Sequence, residues 1–118
     1  MIHLDTNYLI GLLVRGSGSA TDVDQSLAAS SIAWSEFLNG PMTPVEVSRV
    51  ETMLQSRVVP FGKPEAALAA DLFNQTGRHR GSRFDCLIAA TAILSQSSLA
   101  TVNQSDFKPF VPHGLGLV

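Results

Sequence analysis

Short apolar runs that end in a polar or acidic residue alternate with longer helical stretches along this chain. Ile2 to Asp5 reads as a buried strand, and Tyr8 to Val14 as a helix. Arg15 to Asp22, RGSGSATD, reads as a loop. Ser26 to Ala29 reads as the end of a second short helix, and Ser31 to Trp34 as a strand. Ser35 then N-caps a turn that carries Glu36. Thr43-Pro44 is a cap followed by a proline at the first helical position, and predicts a helix to about Gln55. Arg57 to Phe61 is the next strand. Pro64 to Asn74 is an alanine-rich helix halted at Gly77. Phe84 to Leu94 is a helix, Ser98 to Val102 a strand, and Gly116 to Val118 a last edge strand. Alternation of this kind requires an α/β fold with a mostly parallel sheet covered on both faces. Ligands of such sheets bind beyond the carboxyl ends of the strands.

At 118 residues the chain is long enough for one domain, residues 1–118, with a substantial core. Only 15% of it is charged against 45% hydrophobic, so much of the surface is apolar, small or covered by a partner. The net charge of −2 rules out a global basic field, and contact with nucleic acid would need a local patch. One cysteine, Cys86, permits no internal disulfide and fits a reducing compartment. No apolar run nears the ~18 residues of a membrane span. No signal-peptide pattern opens the chain, so a soluble cytoplasmic protein is expected.

Four acids follow apolar segments or open helices: Asp5 in LDTN, Glu36 in WSEF, Asp85 in RFDCLIAATA and Asp106 in TVNQSDF. Each has an ordinary alternative. Asp5 or Thr6 can N-cap the first helix, and Ser82 with Asp85 fits a capping box. Asn103 and Asp106 can cap a short turn, and Glu36 can complement its own helix dipole. Jointly they suggest more. Asp85 shares a helical face with Ile88, Ala89 and Ala92, which should pack inward and aim the carboxylate toward the strand ends. Carboxylates gathered there repel one another unless a cation intervenes, and hard oxygen ligands suit Mg²⁺ or Mn²⁺. Neutralising Asp5 is then expected to relieve strain in the metal-free fold.

LDTNYLI, WSEFLNG, FDCLIAATA and TVNQSDF, in this order, resemble the four motifs of the PIN domain, and in particular of VapC-like toxins. The resemblance covers nearly the whole chain. It implies an α/β/α sandwich around a parallel sheet of about five strands. It also implies a metal-dependent endoribonuclease whose metal ligands are Asp5, Glu36, Asp85 and Asp106, with Thr6 and Asn103 as further polar contacts. Some members of the family carry an acid at the place of Asn103. This chain is similar to those with Asn there and an acid three residues later, at Asp106. A cognate antitoxin protein and a homodimer are implied as partners.

Arg78, Arg80 and Arg83, with His79, form a basic cluster before Asp85, and Lys108 follows Asp106. These are the candidate RNA contacts, and a solvated loop is the alternative. Cys86 beside Asp85 makes a poor nucleophile, because a neighbouring carboxylate raises a thiol pKa. His3, alternating with Ile2 and Leu4, belongs to the core or its rim. GSGS lacks the lysine of a phosphate-binding loop. Trp34 is a core residue or one that faces a dimer partner. The competing function is a non-catalytic PIN-like module that binds RNA or a partner. A phospho-accepting receiver domain would need an early adjacent acid pair and a late lysine after a strand, and neither is found.

Overall fold

A computed structural model describes residues 1–15 and 26–118. The glycine-rich stretch read as a loop lies, after Arg15, outside the described residues. Five strands form one all-parallel sheet in the order β3-β2-β1-β4-β5: β1 Ile2–Leu4, β2 Leu27–Ser30, β3 Val58–Val59, β4 Ser98–Ala100 and β5 Gly116–Leu117. Among the described residues six α-helices accompany them: α1 Thr6–Arg15, α2 Ser31–Leu38, α3 Pro44–Met53, α4 Lys63–Gln75, α5 Arg83–Leu94 and α6 Gln104–Phe107. The chain steps from β1 outward through β2 to β3, then crosses back over β1 to β4. Right-handed crossovers therefore put α1, α2 and α3 on one face and α4, α5 and α6 on the other. Their packing agrees: α1 lies on α2 and α3, and α4 and α6 lie on α5. α2 also reaches α5. The expected sandwich is the observed fold.

Strand β1 has a neighbour on each side and a helical layer on each face, so every residue of it is buried. That is why its sequence reads as a continuous run rather than an alternation. His3 is fully buried, and neither ring nitrogen has a hydrogen-bond partner among the described residues. Burial pushes its pKa down to about 4, with the N-terminal charge adding to the effect. Cys86 is a free, buried thiol whose pKa burial raises, with Asp85 adding to the rise.

Residues 26–34 correct the sequence reading. Leu27–Ser30, expected at the end of a helix, is strand β2, and Ser31–Trp34, expected as a strand, opens α2. Alanine has weak strand propensity, while Ile32 and Trp34 look like strand residues. Yet Ala28 and Ala29 are both fully buried, and small side chains suit an inner strand sandwiched between helices. Ser30, not Ser35, is the cap: its Oγ accepts from the Ala33 N–H at 3.0 Å. The cap at Thr43 is as read. Thr43 Oγ1 accepts from the Glu46 N–H, and Glu46 Oε1 accepts in return from the Thr43 N–H. Among the described residues no helix is long and apolar enough to cross a membrane.

Candidate metal and nucleic-acid site

Parallel strands bring their carboxyl ends to one edge. Asp5 follows β1, Thr101 follows β4, and the register Leu4↔Ala100 sets these two residues side by side. The Asp5 N–H donates to the Ala100 carbonyl at 3.0 Å and locks that register one residue further. Asp5 also ends the strand by starting α1. Its carbonyl accepts from the Leu9 N–H, and its Oδ1 accepts from the Thr6 N–H at 2.8 Å. The capping alternative and the site reading thus coexist in one residue. Its other oxygen, Oδ2, accepts from Thr101 Oγ1 at 2.9 Å. Both Asp5 and Thr101 are buried.

Thr6 reaches from α1 to α2, where its Oγ1 donates to Glu36 Oε1 at 2.7 Å. Glu36 lies on α2, flanked in sequence by Trp34 and the buried Phe37, whose rings stack with centroids 5.3 Å apart. Asp85 sits in the first turn of α5, above Ile88, Ala89 and Ala92, which are buried as their spacing requires. The capping-box alternative for it is not realised. The Ser82 side chain makes no cap bond, and its Oγ donates instead to the His79 carbonyl at 2.7 Å. Asp106 is exposed on the short α6. Asn103 engages through its backbone, its N–H donating to Thr101 Oγ1 at 3.0 Å, while the Asp106 N–H donates to the Asn103 carbonyl.

The half-buried Asp85 feels the other three acids. Its pKa is pushed from 3.8 up to about 6, first by burial and then by the charges of Asp5, Asp106 and Glu36. Among the described residues, however, no three His, Cys, Asp or Glu side chains stand close enough to grip one ion as placed. The two facts are compatible, because charge repulsion acts across distances at which coordination does not. The donor set is all oxygen and acidic, which fits a hard divalent cation in chemistry.

The basic residues divide. Arg78 and Arg83 both lie over the Phe73 ring, with guanidinium carbons 5.4 and 5.7 Å from its centroid. Arg78 also donates to Asn74 Oδ1. Arg83 lines an apolar groove between α4 and α5, with Phe61, Ala69, Phe73 and Leu87. At ~3.6 residues per turn, Arg83 is about 200° around α5 from Asp85, so the groove and the acids occupy different sides of that helix. Arg80 opens a 3-10 turn, Arg80–Ser82, and Lys108 a 3-10 helix, Lys108–His113; both residues are exposed. Thr101 is the polar residue that the motif reading did not assign. Its only signal in the sequence was its place at a strand end.

The chain resembles solved structures over its whole length. The crystal structure of FitAcB from Neisseria gonorrhoeae aligns with a TM-score of 0.72 at 22% identity, covering 100% of this chain and 97% of that one. A toxin–antitoxin complex from Klebsiella pneumoniae aligns with a TM-score of 0.73 at 24% identity, covering 92% and 91%. VapBC2 from Rickettsia felis, bound to a DNA fragment from its promoter, aligns with a TM-score of 0.69 at 24% identity, covering 100% and 98%. No curated protein matches. The PIN domain family model matches residues 2–109, which span all four acids and four of the five strands. By that match, on the fold just described, the chain belongs to the PIN domain family.

Proposed function

We propose that this protein is a metal-dependent endoribonuclease and the toxin of a toxin–antitoxin pair. The observation that carries the reading is the geometry at the carboxyl edge of the parallel sheet, where Thr6 binds both Asp5 and Glu36 and Thr101 ties Asp5 to the turn that leads to Asp106. Asp5, Glu36 and Asp85, with Asp106, would hold Mg²⁺ or Mn²⁺. When bound, the cation lowers the pKa of water and offsets charge on a scissile phosphate. The chain's own part is to orient and to bind. Thr6 holds Glu36 by its hydroxyl hydrogen bond, and the Thr6 N–H holds Asp5. Arg80 and Lys108, exposed beside the helices that carry Asp85 and Asp106, would take RNA phosphates, with Arg78 and Arg83 adding positive field. A cytoplasmic homodimer inhibited by a cognate antitoxin completes the proposal. The similar structures from Klebsiella pneumoniae and Rickettsia felis support the antitoxin. Exposed Leu38, Val45 and Phe84, on a chain poor in charge, support a covering partner.

The absence of a ready ion cage among the described residues favours the second reading, a PIN-like module that binds RNA or a partner without cutting it. One experiment separates them. Antitoxin-free protein is incubated with single-stranded RNA and Mn²⁺, with and without EDTA. Cleavage that EDTA stops is expected. Cleavage undiminished by EDTA refutes the metal mechanism, and binding without cleavage establishes the module.

A further inference from the structure

Asp5 is held on both oxygens, and the two donors come from different parts of the chain. The Thr6 N–H belongs to the helix that Asp5 itself caps. The Thr101 hydroxyl arrives from β4, 96 residues away. A hydroxyl has one proton to give, and Thr101 gives it to Asp5 Oδ2 while accepting the Asn103 N–H. Asn103 in turn accepts the Asp106 N–H on its carbonyl. One oxygen atom thus joins the carboxylate after β1 to the turn that carries the fourth acid. At 6% exposure Thr101 has little water to replace either bond.

We infer that Thr101 is a positioning residue, whose hydroxyl orients the Asp5 carboxylate, ties it to the Asn103–Asp106 turn and thereby sets divalent-cation affinity. The inference rests on the metal reading above. A carboxylate with one fixed donor per oxygen keeps its plane and leaves its remaining lone pairs in fixed directions. Without the hydroxyl, Asp5 Oδ2 and the Asn103 N–H both lose their partner, and the two sides of the site become independent.

Thr101→Val keeps the shape and removes the hydroxyl, and Thr101→Ser keeps the hydroxyl and removes the methyl. Mn²⁺ affinity of the full chain is measured by electron paramagnetic resonance well below the melting temperature, alongside melting in EDTA. Thr101→Val is expected to bind Mn²⁺ about 10–100-fold more weakly, the usual effect of losing a group that orients a ligand. Thr101→Ser is expected to bind as wild type does. A purely structural threonine would lower the EDTA melting temperature and leave the affinity of the folded protein unchanged, which overturns the inference. So does a Ser variant as weak as Val, since the methyl would then be the important group. If Thr101→Val does not fold, Thr101→Ala takes its place in the same comparison. Failure of wild type to bind Mn²⁺ overturns the metal reading and this inference together. Equal binding by wild type and Thr101→Val overturns this inference alone.

Discussion

Replacing Asp85 by Asn should stabilise the metal-free protein. From the sequence the relief is expected at Asp5, whose carboxylate accepts from the Thr6 N–H and the Thr101 hydroxyl; the structure adds Asp85 as a second place to look for it. The carboxyl of Asp85 is unfavourably placed when charged: burial first, and then the neighbouring acids, raise its pKa from 3.8 to about 6. A carboxyl pKa raised in the native state costs stability once the group ionises. Below pH 3.8 both states hold the proton and nothing is lost. Between 3.8 and about 6 the native state keeps a proton that the unfolded chain has released, so stability falls as pH rises. Above about 6 the penalty is complete. Two units at ~1.36 kcal/mol each give about 3 kcal/mol. Asp85 is only half-buried and solvent screens part of this, leaving about 1–2 kcal/mol. For a domain of this size that is roughly 4–8 °C. The assay is thermal melting of both proteins in EDTA from pH 4.5 to 8. Asp85→Asn should melt higher at pH 7.5, and the gap should narrow with acid. Mn²⁺ should then raise the wild type and leave the variant almost unmoved. A variant that melts at or below wild type at pH 7.5 in EDTA, or a gap that does not narrow, refutes the argument.

Groups outside the acid cluster can be tested in the same way. His3 titrates near 4 in the folded protein against 6.5 unfolded, so its contribution is complete above 6.5 and is lost as pH falls toward 4, by roughly 3 kcal/mol. Urea midpoints measured in the Asp85→Asn background, which removes the opposing titration, should show this slope, and His3→Phe should abolish it. Replacing Arg80 and Arg83 together by Ala should weaken single-stranded RNA binding and flatten its salt dependence, by about 0.7 units of slope for each phosphate no longer neutralised. Since Arg83 is engaged with Phe73, most of the flattening should come from Arg80 alone, and an Arg80→Ala protein with an unchanged slope would remove the cluster from the RNA surface.

What could be read from the sequence was whatever is local or periodic. Thr43 and Pro44 are adjacent, and the cap with its following proline was readable because nothing beyond that turn is needed to form it. The inward face of α5 follows from helical spacing alone. The alternation of strands and helices implied the parallel sheet, and with it the edge where the acids fall. Residues 26–34 failed because Ala28 and Ala29 are in a strand for tertiary reasons, to fit between two helical layers, against their own propensity. The Thr101 bond to Asp5 was invisible for a different reason. It depends on the β1–β4 register, which no window along the sequence contains. The stacking of Arg78 and Arg83 on Phe73 likewise needs the turn after α4 to fold the cluster back over that helix.

The central place of β1 in the sheet governs when the acids at its carboxyl edge can come together. Its second neighbour, β4, begins at Ser98, so during synthesis Asp5 waits for most of the chain before Thr101 can reach it. At ~5–20 residues per second, the 96 residues from Thr6 to Thr101 take on the order of 5–20 s to emerge. Asp5 and Glu36 leave the ribosome early, Asp85 and Asp106 late, and β1–β2 pairing can form without either of the late acids. On the function proposed above, the site is incomplete while the chain is nascent. On the same proposal, the interval would give an inhibitory partner made nearby time to be present before β4 pairs.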